Sequence, residues 1–340
     1  MRSLSPVHFS PVAAPGRASV VRWSFILVFV LVLVPDWTGE PRLPLLRPDL
    51  RVTAHAFAPE GGRPSRLGAL EPVAALSLTA DDPAFGGFSA LALHGGEAML
   101  LSDGGNMIRL RIRGGRIAVT GTSGLADGPG TGWDKRSRDT ESLAVEPQSG
   151  RVWIGYERAN AIWRYTHDLA HSDGHVAPAA MRGWGRNSGP ETLVRLADGR
   201  FLTIREGVMG TRRPHPALLF DGDPVARGTR AAPLSYRPPA GYVPTDGAML
   251  PDGDLLVVNR RWRFPFRFDC LIVRVPAALV RAGAVMHGPV IAQPTRAMGG
   301  ENVEGVAITR ERGATMVWLV TDNDQAIYRR TILAKFRLVE

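Results

Sequence analysis

Downstream of residue 66 the apolar positions fall into short runs divided by Gly-, Pro- and Asp-rich turns, a pattern of many strands and tight connections rather than long helices. The clearest unit is RDTESLAVEPQSGRVWIGYE (138–157). Two apolar runs, Ser142–Val145 and Val152–Gly155, flank a Pro-Gln-Ser-Gly turn, with a carboxylate at each open end, Glu141 and Glu157. The unit recurs as PETLVRLADGRFLTIREG (190–207), PTDGAMLPDGDLLVVNRR (244–261) and ENVEGVAITRERGATMVWLVTDND (301–324), after a degenerate first copy, GGFSALALHGGEAMLLSDGG (86–105). Each copy is an apolar strand, a turn, and a more strongly apolar strand. An acid recurs near the head of the first strand, at Glu141, Glu191, Asp246 and Glu304, with Ser89 in the first copy.

These positions lie 52, 50, 55 and 58 residues apart. A hairpin at the head of such a period, with room for two further strands per unit, predicts an all-β propeller of four-stranded blades. MIRLRIRGG and RIAVTGTSG supply the outer strands of blade one; NAIWRYTHD and HVAPAAMRG supply those of blade two. Five blades are counted, or six if one copy is too degenerate to see; a β-sandwich of similar strands would leave the period unexplained. The last copy ends about one strand short, so EPVAALSLT (71–79) is expected to close the ring from the N-terminal side. Residues 35–66, rich in Pro, Gly and Arg, read as a linker to a propeller spanning 67–340.

The remaining composition narrows the setting. The chain of 340 residues is 44% apolar and 21% charged, with 38 Gly and 27 Pro, as expected of a globular protein. Its formal charge of +9 comes almost wholly from arginine, since Lys135 and Lys335 are the two lysines. The arginines are scattered and form no basic stripe with interleaved aromatics, which argues against nucleic-acid binding. The single cysteine, Cys270, in the strand-like RFDCLIVRV, reads as a buried thiol. At the N-terminus, arginines precede the twelve-residue run WSFILVFVLVLV (23–34), the layout of an export signal. Residues 1–34 are therefore expected to act as a signal peptide or, lacking an obvious cleavage site, as a signal anchor in the inner membrane. The domain is expected to be periplasmic or extracellular.

In a propeller the first strand of each blade lines the channel and the second returns beside it. The heads of first strands and the ends of second strands therefore share one face. Glu141, Glu191, Asp246 and Glu304 are thus expected around one mouth of the channel as candidate catalytic groups. Asp103, Glu157, Glu206, Asn259 and Asp322, at second-strand ends, are candidate ligands of a hard divalent cation, Ca²⁺ or alternatively Mg²⁺. Arg205, Arg260 and Arg261 are placed to bind an anionic or ester substrate. Metal and arginine together suit phosphoester hydrolysis. The loop ADGPGTGWDKRSRD, carrying Lys135, Arg136 and Asp139, is placed to cover the mouth. His167, His171 and His175 are spaced by four, but Ser172-Asp173-Gly174 breaks a helix, so a solvated loop is expected there. Ser89 has no nucleophile-elbow context and reads as structural.

The Gly87-Phe88-Ser89, Asp139-Thr-Glu141-Ser142 and Asn302-Val-Glu304-Gly305 motifs together resemble the phytase-like family, also described as having the esterase-like activity of phytase. The resemblance covers roughly Arg66 to the C-terminus. It implies an exported bacterial β-propeller and a phosphoesterase or esterase, and it brings no catalytic set, so the residues above rest on position alone. Two other readings remain open from the residues: a metal-dependent sugar lactonase, with a cation held by groups such as Asn259, Asn302 and Asp322, and a non-enzymatic propeller binding an envelope ligand.

Overall fold

The computed structural model describes residues 43–339, apart from 63, 133, 208, 209, 211 and 212, together with residues 24, 25 and 28. The expected export segment therefore lies outside the described residues save for those three. Among the described residues no helix is long and apolar enough to cross a membrane.

The strands form five sheets. Blade one is β3 (Phe88–His94), β4 (Glu97–Ser102), β5 (Asn106–Arg113) and β6 (Arg116–Gly124). Blade two is β7 (Thr140–Val145), β8 (Val152–Tyr156), β9 (Ala161–Tyr165) and β10 (Ser172–Val176). Blade three is β11 (Pro190–Arg195), β12 (Phe201–Arg205), β13 (His215–Phe220), β14 (Ala231–Tyr236) and the short β18 (Val285–Met286). Blade four is β15 (Val243–Met249), β16 (Leu255–Arg263), β17 (Arg267–Val275) and β19 (Val290–Ala292). Blade five joins both ends of the domain: β20 (Asn302–Glu311), β21 (Ala314–Asp322) and β22 (Thr331–Leu338) are extended by β2 (Leu70–Ala80) and β1 (Val52–Ala56). The inner strands β3, β7, β11, β15 and β20 meet one another in turn around a closed ring.

The N-terminal closure expected from EPVAALSLT is β2, paired antiparallel with β22. Residues 52–56, within the stretch read as a linker, add β1 outside it, and Leu46, Leu50 and Phe57 are buried nearby. In blade two the last strand lies earlier than HVAPAAMRG suggested. Pro178 opens a single 3-10 turn at Ala179–Met181 and ends the extended chain.

The core consists of five separate apolar layers, one between each pair of neighbouring blades. Alternate residues of a second strand serve two layers. In β4, Ala98 and Leu100 pack toward blade five while Met99 and Leu101 pack toward blade two. In β16, Leu255 and Val257 face blade three while Leu256 and Val258 face blade five. With side chains alternating across a sheet covered on both faces, these strands lose the polar half of the alternation and become continuous apolar runs. The greater apolarity of each second strand in the sequence follows from this.

Every inner strand breaks register with its neighbour at the same place. The bulge passes over Ser89, Glu141, Glu191, Thr245 and Glu304 in blades one to five. An unpaired bulge residue is turned out of the ladder and re-aimed. Blade four thus differs from the sequence alignment: Thr245 holds the equivalent position, and Asp246 comes one residue later. Polar side chains beside the bulges stitch the blades together. Ser89 Oγ donates to Thr140 O (2.7 Å), Ser142 Oγ to Pro190 O (2.5 Å) and Thr245 Oγ1 to Val303 O (3.0 Å). Asp246 accepts from Val306 N (2.8 Å) in blade five and from Gly247 N (2.7 Å). An Asp246→Ala exchange leaves these buried amides without that acceptor and is expected to cost about 1–3 kcal/mol in chemical denaturation. A loss below about 0.5 kcal/mol would remove Asp246 from the clip between blades.

Candidate functional site

The bulges carry Glu141, Glu191 and Glu304 to the channel end where the second strands finish. There Asp103 follows β4, Glu157 follows β8, Glu206 follows β12, and Arg260 and Asp322 lie near the ends of β16 and β21. The long loop before β7 adds a further element. It ends in one helical turn, α1 (Lys135–Arg138), capped by Asp134 through Ser137 N, and Asp139 follows it directly. Arg138 is buried and donates to Pro129 O (2.5 Å), which ties the loop to its own helix.

Two groups of carboxylates result, and Glu157 belongs to both. Asp139, Glu141 and Glu157 each place an oxygen within 4.8 Å of the others, and so do Glu157, Glu191 and Glu206. Glu157 is 8% exposed and accepts from Gly189 N (3.2 Å). Gly189 has to be glycine for this approach, since a Cβ there would stand 2.6 Å from Glu157 Cα and 2.7 Å from its Cγ. Asp139 is paired with Arg158 (2.7 Å), and Lys135 lies 3.9 Å from Asp139 while bonding Asp103. Across the ring Arg260 bonds Glu206 (2.8 Å), Asn302 Oδ1 (3.0 Å) and Glu304. Asn302 in turn donates to Glu304 (2.7 Å). The acids therefore form an arc from Asp322 and Asp103 through Asp139, Glu141 and Glu157 to Glu191, Glu206 and Glu304, with Lys135, Arg158 and Arg260 set among them.

Removing so many like charges from water disfavours their ionised forms. Burial pushes Glu141 well above the ordinary carboxylate range, and the Asp139, Glu157 and Asp103 charges add to this against the pull of Lys135. Glu191 is raised well above it by burial and by Glu141 and Glu206, opposed by Arg260. Glu157 is pushed up to about 7 by burial, then by Asp139, against the Gly189 N–H bond. Asp103 and Asp322 are also raised, each chiefly by burial. Burial alone would lower Lys135, but the Asp103, Asp139 and Glu141 carboxylates outweigh it and raise it.

Other expected site residues are engaged elsewhere. Asn259 is fully buried, accepts from Tyr236 Oη (3.0 Å) and donates to Val257 O (2.9 Å). Strand alternation turns Arg261 away from Arg260, onto Asp269 (2.6 Å) and over the Tyr242 ring. Arg205 holds Ser188 through its Oγ (3.0 Å). Asp246 is spent on the blade clip and raised well above its ordinary value by burial, despite its two amide donors. Of the histidine row, His167 and His171 lie on the β9–β10 connection, whereas His175 is part of β10, not of a loop, and stacks on Trp163 at 4.3 Å. Both groups of potential metal-ligating side chains found among the described residues are carboxylates. Cys270 is buried, and burial raises its thiol pKa.

The sequence reading missed Arg158, Arg186, Asn187 and Gly189. Arg136, Arg158, Arg186 and Asn187 line an open cavity of about 640 Å³ beside the acids. They lie on loops outside the repeat unit, so periodicity gave no hint of them.

The Glu157 shift has a definite sign. Its folded pKa, about 7, lies above its ordinary 4.5, so the folded state holds a proton that the unfolded state releases between those values. Metal-free protein is therefore expected to lose thermal stability as pH rises from about 4.5 to 7, and to recover more of it on adding a divalent cation at pH 7.5 than at pH 5. Glu157→Gln should flatten the profile in that window. A melting temperature that rises across it would contradict the assignment.

The phytase-like family model, described as esterase-like activity of phytase, matches residues 83–325. No curated protein matches the chain. Among solved structures, Myxococcus xanthus glutaminyl cyclase is 13% identical with a TM-score of 0.46, covering 75% of this chain and 92% of its own. An exo-1,5-α-L-arabinanase from a bovine ruminal metagenomic library gives 13% identity and a TM-score of 0.46, over 73% and 91%. The Malassezia sympodialis allergen Mala s 1 gives 11% and 0.45, over 86% and 96%. At these values nothing carries over to this chain from the three structures. The family match spans most of the chain, the motifs at Ser89, Glu141 and Glu304 fall inside it, and the chain belongs to the phytase-like family.

Proposed function

We propose that the protein is a hydrolase of phosphoesters or related esters whose acidic mouth holds a hard divalent cation, calcium before magnesium. The observation that carries this reading is Glu157, shared by two trios of carboxylate oxygens that each fall within 4.8 Å. Two oxygens on one calcium ion at 2.3–2.6 Å can stand no more than about 5 Å apart, so each trio fits a common cation. The donors are all carboxylates, the set that suits hard cations. Such a cation, when bound, polarises an ester oxygen and acidifies a water molecule.

The chain's own residues supply the rest. Arg136, Arg158, Arg186 and Asn187 line the open side and suit an anionic group, with Arg158 held in place by Asp139. Glu141 is the partly exposed member of its trio, and its raised pKa suits it to hold a proton beside the other acids. Lys135 and Arg260 limit repulsion at the two flanks of the arc. Glu304 and Glu206 serve chiefly to fix Arg260.

The test is hydrolysis of p-nitrophenyl phosphate, phytate and a short acyl ester, with and without EDTA. Activity is expected to fall with EDTA and with Glu157→Gln, and Arg158→Ala is expected to raise KM for the phosphoesters about tenfold. Turnover insensitive to both EDTA and Glu157→Gln would reject the reading.

A further inference from the structure

Rims of propellers are ordinarily polar, but one sector of the mouth face here is aromatic. The β16–β17 hairpin extends past the sheet and carries Trp262, Phe264 and Phe266, and the β21–β22 loop beside it carries Ile327 and Tyr328. Phe264 is 84% exposed, Phe266 63%, Tyr328 64% and Ile327 fully exposed. Phe266 holds φ at +89°, a region that large side chains avoid, while its ring stands in solvent 5.6 Å from Tyr328. Packing within the fold does not account for that ring. Arginines 263, 267 and 330 are exposed around the same groove of about 890 Å³.

A second observation concerns where the chain enters. Leu43 and Pro44 lie at the mouth-face end of blade one, beside Asp103 and Lys135, and Asn106 pins them through Leu46 N (3.2 Å) and Pro44 O (3.0 Å). Eight residues, 35–42, separate Leu43 from the apolar run at 23–34. Even fully extended, that stretch reaches only about 30 Å.

The geometry points to an anionic lipid surface as the partner of this sector: Trp262, Phe264, Phe266 and Tyr328 enter the bilayer interface while arginines 263, 267 and 330 meet the headgroups. Aromatic side chains concentrate at that depth, and basic residues beside them draw anionic lipid. The formal charge of +9 favours the same surface. The described chain thus enters the propeller on this face, at Leu43. The inference is independent of the hydrolase reading.

Cys270 is buried, so a cysteine introduced at the surface can be labelled selectively. Full-length Phe264→Cys and Tyr328→Cys, each carrying an environment-sensitive fluorophore, would be reconstituted into neutral phosphatidylcholine vesicles and into vesicles containing phosphatidylglycerol. Gln148→Cys, in the turn between β7 and β8 on the opposite face, serves as control. Both rim labels should shift to the blue and be quenched by spin-labelled lipid in the anionic vesicles, with a weaker response in neutral ones. The control should stay aqueous in both, and the pair Arg263→Glu/Arg267→Glu should remove the preference for anionic lipid. The apolar run is present in every sample, so differences between compositions report the rim. Rim labels that remain aqueous in both vesicles, or a control label that responds equally, would overturn the inference.

Discussion

Carboxylates crowded into a partly buried ring repel one another, and the mouth of this propeller is organised around that repulsion. Glu141, Glu157 and Glu191 lie too close together to remain ionised without compensation, and the cationic groups placed among the acids are Lys135, Arg158 and Arg260. Arg260 is tied to Glu206 and Glu304 at one flank, and Lys135 and Arg158 to Asp103 and Asp139 at the other. The centre of the arc, at Glu157, is left to protons or to a bound cation. Its raised pKa is the same fact stated in the absence of the cation.

The fold makes this arrangement with one repeated device. A bulge at the head of each inner strand releases a single residue from the ladder, and the five layers between blades hold the strands in register around it. Where the released residue is Ser89 or Thr245 it bonds the next blade; Glu141 and Glu191 face other acids, and Glu304 takes Arg260 and Asn302. One position in the repeat thus alternates between architecture and chemistry according to residue type. Asp246 shows how narrow the distinction is: one residue further on, its carboxylate becomes a clip between blades.

Much of this could be read from the chain because propeller blades repeat. The period, the hairpins, the closing strand β2 and the convergence of Glu141, Glu157, Glu191 and Glu304 on one face all follow from spacing and alternation. The sequence left blade four out by one residue, since a bulge is invisible in a pattern of apolar runs. It also assigned Asn259 and Arg261 to the mouth. Strand-end position alone does not fix which way a side chain turns, and Tyr236 and Asp269 claim these two. Arg158, Arg186 and Gly189 were hidden for another reason: they sit on connections between strands, where a pattern of apolar runs marks no position. The loop carrying Lys135 and Asp139 was legible as an approach to the mouth, whereas its helical turn and its bond to Asp103 depend on tertiary contact.

The most direct test of the acidic mouth as a cation site is calorimetric titration of metal-free protein with Ca²⁺ at pH 6, in two buffers of different ionisation enthalpy. If the shared carboxylates release protons as the cation binds, the apparent heat will differ between the buffers, and both binding and proton release will be lost in Glu157→Gln. No saturable binding at millimolar Ca²⁺, or binding with the same heat in both buffers and unchanged in Glu157→Gln, would contradict the account.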